Sequence, residues 1–213
     1  VRRYLKNEIP DVIVNVVVAS NLERNLYLTT ELIDMDYRMV IALNMFDELE
    51  QSGGKIDYKH LGNMIGVPIV PTVSRSGKGV NQLFDTIIEV YEGRDESVRH
   101  VHVGLGKVIE NSITPLKDLL KKDPTCNREF SPRYLAIKIL EGDTEVKRML
   151  EGSESYPELM NIRNAEVEKI EATLNEDIES AIANEKYGFI SGALAETYRP
   201  GDKEEAKTTR IID

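Results

Sequence analysis

Short β-branched runs and amphipathic stretches alternate along the first ninety-odd residues, and this alternation constrains the chain more than any other feature. Residues 12–18 (Val-Ile-Val-Asn-Val-Val-Val) follow Pro10 and Asp11 and read as a strand buried on both faces. Residues 21–34 then place Leu22, Leu26, Leu28 and Leu32 at helical spacing. A second buried strand follows at 39–43 (Met-Val-Ile-Ala-Leu), then a short helix at 58–65 with Gly66 as its stop. A third strand spans 67–70 and ends at Pro71. Residues 80–91 form a helix with Leu83, Ile87, Ile88 and Tyr91 on one face. Strand, helix, strand, helix, strand, helix predicts a parallel sheet with right-handed crossovers.

After Gly93 the periodicity changes. Arg94-Asp95-Glu96 forms a charged linker, and residues 100–103 alternate like a short strand. Everything beyond reads as helix. Leu105, Val108, Ile109, Leu116, Leu119 and Leu120 share a helical face that Pro115 should kink or interrupt. Ser131-Pro132 opens a helix that Gly142 closes, and Asp143 caps a short one running to about residue 150. A longer helix spans about 156–174, and Asn175 is placed to cap a last one carrying Ile178, Ile182, Ile190 and Leu194. The stretch 200–207 is polar and charged, as in a linker. The expected class is α/β followed by all-α.

Composition removes several functions. With 27 Lys and Arg against 37 Asp and Glu the net charge is −10, and no basic cluster exists to bind nucleic acid. One cysteine, Cys126, forms no intrachain disulfide or zinc site, and it reads as a loop thiol rather than a nucleophile. His100 and His102 would share a face on a strand, but no third ligand is near in sequence, so they read as solvated residues. The apolar run at 12–19 is broken by Asn15 and is far shorter than a membrane span. These features describe a soluble protein of a reducing compartment.

In open α/β sheets ligands bind beyond the carboxyl ends of the strands. After the second strand comes Asn44-Met45-Phe46-Asp47, which fits the Asn-x-x-Asp guanine-specificity motif of P-loop GTPases. A carboxylate accepts hydrogen bonds from guanine N1–H and its exocyclic amine, and adenine offers no such donor pair. The Asn44 amide can reach the base edge or tie neighbouring loops together, and the Met45 thioether can lie over the base. Such a pair also simply ends strands and caps helices. After the third strand, residues 71–79 (Pro-Thr-Val-Ser-Arg-Ser-Gly-Lys-Gly) fit the loop that gives backbone N–H groups to guanine O6. Two such loops in order, each after a buried strand, point to nucleotide binding. Gly77-Lys78 is no Walker A ending, because Thr72 stands where a Gly is needed and Gly79 where Ser or Thr is needed. Gly104-Leu105-Gly106 fails as a dinucleotide fingerprint, and no Asp-x-x-Gly motif is present. The base-reading half of a GTPase is here without the phosphate and magnesium half.

Residues 10–17 and 19–28 closely resemble the ferrous-iron transport protein B (FeoB) family, as do 42–48 and 66–73. Leu140-Glu141-Gly142-Asp143 and the closing residues 207–213 are similar too, so the resemblance covers nearly the whole chain. It implies the later part of a P-loop GTPase sheet at residues 1–95, a helical domain acting as a nucleotide-dissociation inhibitor at 96–199, and a linker at 200–213 toward a membrane domain. The family's phosphate-binding loop, switch I Thr and Asp-x-Pro-Gly motif would lie before Val1, and its membrane helices beyond Asp213, so a fragment cut at both ends is expected. Carried over by position, Asn44, Met45 and Asp47 would read guanine, and Val73, Ser74 and Arg75 would form the closing loop. Val18 departs from the Asp that relatives often carry before Ala-Ser. No catalytic or metal residue maps onto the chain.

The resemblance further implies GTP or GDP as ligand, with Mg in the parent, which would hydrolyse GTP to drive Fe(II) uptake at the cytoplasmic face of a bacterial inner membrane. The fragment itself would be inactive. Its partners would be guanine nucleotide, the missing N-terminal part of its G domain and the membrane domain, while an oligomer stays open. Two other readings stand beside this one: a non-catalytic helical module docking on a GTPase, and a fragment of a soluble translation-type GTPase, which the Thr208–Asp213 ending disfavours. A truncated sheet would also expose a strand edge and an apolar face.

Overall fold

The structure, a computed structural model, describes Leu5, Glu8 and residues 10–123 and 130–201. Cys126 and the closing residues 207–213 lie outside the described residues. The chain forms two compact units: one of residues 1–32, 37–101 and 190–213, the other of 33–36 and 102–189.

The first unit is built on a parallel sheet of β1 (Ile13–Val18), β2 (Met39–Asn44) and β4 (Ile69–Pro71), in the order β1-β2-β4. Val14 pairs with Val40 and Ala42 with Val70, so the strands run in step. β2 is central and residues 39–43 are buried throughout, which is why an unbroken apolar run specifies it. Helix α1 (Leu22–Asp34) packs on the Asn15 face, where Asn15 Nδ2 donates to Thr29 Oγ1 at 2.9 Å. Helix α4 (Val80–Tyr91) covers the opposite face, with Leu83, Ile87 and Val90 against Val12, Val40 and Val70.

The expectation that residues 12–18 are buried on both faces is corrected. Val14 is 39% exposed and Val16 59%: among the described residues β1 lies at the edge of the sheet, and the α4 side of that face packs on Val12 instead. Phe84, Ile88 and Tyr91 of α4, one position beyond its buried stripe, are also exposed. β4 includes Pro71 instead of ending before it; on an edge strand the missing N–H breaks no ladder. Two features carry no local signal and went unforeseen. Helix α2 (Phe46–Gln51) starts two residues after Asn44, and β3 (Lys55–Ile56) pairs antiparallel with β5 (Tyr198–Arg199). Between β3 and β4 lies α3 (Tyr58–Ile65), which Asp57 caps by accepting from His60 N–H at 3.0 Å and Gly66 ends at φ +71°.

The second unit is helical: α5 (Gly106–Lys122), α6 (Pro132–Glu141), α7 (Thr144–Leu150), α8 (Tyr156–Leu174) and the first part of α9 (Ile178–Thr197). α6 is its centre, with Leu135, Ala136, Ile137, Ile139 and Leu140 fully buried. Ser131 caps it through Tyr134 N–H, Gly142 stops it at φ +78°, and Asp143 caps α7 through the N–H groups of Glu145 and Val146. Three expectations are corrected here. α5 runs unbroken through Pro115, held by buried Ile109, Ile113, Leu116 and Leu120 on one face. Residues 100–103 form no strand; the Val103 carbonyl accepts from Arg133 Nη2 at 2.7 Å instead of joining a ladder. Asn175 ends α8 in the left-handed conformation, and Asp177 takes the position before α9, accepting from Ser180 N–H at 2.9 Å.

Ion pairs, several of them buried, also lie inside this unit. Lys186 Nζ stands 3.0 Å from Asp34 Oδ2, with both side chains essentially inaccessible. Arg133 grips both carboxylate oxygens of Glu110 at 2.7 Å, and Leu105 N–H donates to Glu110 Oε1 at 3.0 Å. Burial alone would raise the Glu110 carboxyl, but these hydrogen bonds and the Arg133 charge hold it below its usual value. A depressed carboxylate contributes stability that is fully present above its unfolded pKa and is lost as pH falls through the folded one. Wild type should therefore lose more stability than Glu110→Gln as pH drops from about 5 to 3, read from urea midpoints. Parallel losses in the two proteins would exclude Glu110 as an acid-sensitive contact.

Among the described residues no helix is long and apolar enough to cross a membrane. No group of three or more His, Cys, Asp or Glu side chains among them is placed to hold a metal ion.

Candidate functional site

The carboxyl ends of β2 and β4 lie side by side, and the loops that leave them stay in register. Thr72 N–H donates to the Leu43 carbonyl at 2.8 Å, and Phe46 N–H to the Thr72 carbonyl at 3.3 Å. The Asn44 side-chain oxygen then joins the two loops. It accepts from Ser74 N–H at 3.1 Å and from Ser74 Oγ at 2.7 Å, with Thr72 Oγ1 at 3.5 Å. The Asn44 backbone carbonyl also accepts from Ala19 N–H at 2.9 Å, which ties in the end of β1.

Met45 turns the chain from strand to helix in a left-handed conformation at φ +57°. A non-glycine residue held there costs about 1–2 kcal/mol, and such strain recurs at ligand sites. The turn puts Asp47 in the first turn of α2, where a carboxylate is favoured by the helix dipole. Edge-to-face packing of Phe46 on Tyr58, ring centres 6.1 Å apart, holds α2 to α3 beneath it. Asp47 is largely covered, and its Oδ2 lies 3.5 Å from Nη2 of the exposed Arg75.

The loop after β4 folds on itself. Val73 is buried, its N–H donates to the Lys78 carbonyl at 3.0 Å, and its carbonyl accepts from Ser76 and Gly77 N–H. Gly77 and Gly79 carry φ of +75° and +80°. A Cβ on Gly79 would stand 2.1 Å from the Pro71 carbonyl oxygen, whereas one on Gly77 would meet open space. Gly79→Ala should therefore cost about 2 kcal/mol or more, and Gly77→Ala only about 1 kcal/mol. Equal losses on thermal melting would refute the steric argument.

All six residues singled out from the sequence thus fall on the two adjoining segments that leave β2 and β4, with Asn44 ending β2 and Asp47 in the first turn of α2. Asn44 bonds Ser74, Asp47 pairs with Arg75, Met45 makes the bend and Val73 anchors the closing loop. Sequence reasoning missed buried Thr72 and the Arg75–Asp47 pair; the first lay within the quoted loop, and the second has no sequence signal. Chemically the loops present a carboxylate acceptor on one side and an amide-braced main-chain turn on the other, which suits a planar base bearing two adjacent donors.

Comparison with known proteins identifies the family. Residues 1–87 match the family model described as ferrous iron transport protein B, and residues 106–199 match that of the FeoB cytosolic helical domain. The Fe(2+) transport protein A/Fe(2+) transporter FeoB fusion protein of Porphyromonas gingivalis is 41% identical over 216 residues, spanning 100% of this chain and 26% of its own. Fe(2+) transporter FeoB of Escherichia coli is 34% identical over 66% of this chain and 17% of its own. The chain thus spans about a quarter or less of these relatives' length. A GDP-bound NFeoB mutant of S. thermophilus superposes with a TM-score of 0.81 at 32% identity, over 92% of this chain and 72% of that one. NFeoB of S. thermophilus bound to GDP.AlF4- and K+ gives 0.79 at 33% identity, over 90% and 71%. The parallel sheet with its two joined loops, the separate helical unit and these matches together make the chain a member of the FeoB family, comprising G-domain sheet and cytosolic helical domain.

Proposed function

We propose that this chain is the guanine-reading part of the G domain of an Fe(II) transporter, joined to the helical domain that regulates it. The observation that carries the reading is the Asn44–Ser74 clasp, which fixes Asp47 opposite the closing loop. Asp47 would accept from guanine N1–H and the exocyclic amine, the main chain of residues 73–75 would face O6, and Met45 would lie against the ring. The solved relatives bound to GDP support this assignment. A phosphate-cradling loop is absent from residues 1–213, and in such sites phosphate contacts supply much of the affinity. Magnesium belongs with those contacts, and no residue here is assigned to it.

In the parent, GTP hydrolysis would be coupled to Fe(II) uptake at the cytoplasmic face of the inner membrane, with residues 96–199 tuning nucleotide release. Domain limits of 1–95, 96–199 and 200–213 belong to this reading. The partners would be guanine nucleotide and the rest of the transporter.

Titration with fluorescent GDP tests the proposal. The isolated chain should bind only weakly, well above micromolar, and should not hydrolyse GTP. Submicromolar affinity would overturn it.

A further inference from the structure

The two loops meet at two points of different chemistry. Asn44 to Ser74 is a neutral link with a 2.7 Å hydrogen bond. Asp47 to Arg75 is ionic, longer at 3.5 Å, and its arginine is 88% exposed. Consecutive residues of the closing loop make them: Ser74 is pinned by both its N–H and its hydroxyl, and Arg75 follows immediately. The first link therefore aims the second. The family resemblance gives Arg75 a place in the loop and its side chain no task.

We propose that the Arg75 guanidinium is a removable counter-ion that pairs with the Asp47 carboxylate and must move aside when a guanine-type base arrives. The inference rests on the guanine reading given above. At 3.5 Å the contact is an ion pair rather than a well-formed hydrogen bond, so it neutralises the carboxylate without saturating its lone pairs. A base with two adjacent donors claims the same oxygens. The exchange replaces a screened, solvent-exposed attraction with two directed hydrogen bonds to a charged acceptor. Arg75 thus sets a threshold for entry that applies to bases using Asp47 and to no others. It also makes that threshold depend on ionic strength, because salt weakens an exposed pair far more than short hydrogen bonds inside a closed site.

The test follows amide shifts of the full 213-residue chain during titration with GMP and with AMP, which carry the same phosphate and differ in the base. Arg75→Ala should tighten GMP about two- to fivefold at low salt, a range set by the strength of exposed ion pairs. The gain should vanish near 1 M NaCl, and AMP should be unaffected. Arg75→Lys should stay within about twofold of wild type, since it keeps the charge. Weaker GMP binding by Arg75→Ala would make Arg75 a ligand and overturn the proposal, as would an effect independent of salt or shared by AMP. Asp47→Asn separates the two levels. If it leaves the preference for GMP over AMP intact, the guanine reading itself fails and takes the counter-ion role with it. If it abolishes the preference while Arg75→Ala changes nothing, only the counter-ion role fails.

Discussion

Asp34→Asn should destabilise the chain by about 3–5 kcal/mol, the largest loss expected from any single isosteric change in it. The Asp34 carboxylate lies 3.0 Å from Lys186 Nζ, and both groups are buried almost completely. Taking the charge from one partner leaves an ammonium in a low-dielectric interior with its strongest interaction gone. Arg133 feels the change too, because Asp34 helps hold its guanidinium in the charged form. Urea denaturation gives the measurement. A loss below about 1 kcal/mol would mean that Lys186 finds water or another acceptor. Replacing both partners, as in Asp34→Leu with Lys186→Met, should recover most of the stability, since an apolar pair of similar volume needs no desolvated charges.

Asp47→Asn should reverse the base preference from guanine to xanthine. The carboxylate offers two acceptors to two donors. An asparagine amide offers one acceptor and one donor, which meets the guanine amine donor to donor but complements the xanthine 2-carbonyl. Losing a charge-assisted hydrogen bond and leaving a donor unpaired costs guanine about 3 kcal/mol, or roughly a hundredfold. Competition between GMP and XMP on the variant, read from the amide shifts of residues 44–47 and 73–75, would show it. An unchanged preference for GMP would remove Asp47 from base recognition.

Much of the fold was legible because local chemistry specifies it. Gly66 closes α3, Ser131-Pro132 and Gly142 bracket α6, and all of these signals act within a few residues of where they sit. Exposure of Val14 and Val16 was not legible, since a β-branched run marks a strand without saying whether it lies at the centre or the edge of a sheet. The β3–β5 pair joins residues more than a hundred positions apart and leaves no local pattern. Asp34 is the most instructive case. A carboxylate in the last turn of a helix opposes the dipole, and local rules mark it as an ordinary exposed end. Its reason is tertiary, a lysine on α9. At the candidate site, motif spacing found the loops, but the link between Asn44 and Ser74 crosses thirty positions and needed three dimensions.

The division of the chain into units has a consequence for modularity. The border is crossed four times, at Leu32/Ile33, Asp36/Tyr37, Val101/His102 and Phe189/Ile190. Neither unit is a contiguous stretch of sequence. An expression clone of residues 102–189 would carry Lys186 without the aspartate that neutralises it. The same holds for inheritance: no single recombination breakpoint transfers either unit whole, so the pair must be exchanged together, as one cassette.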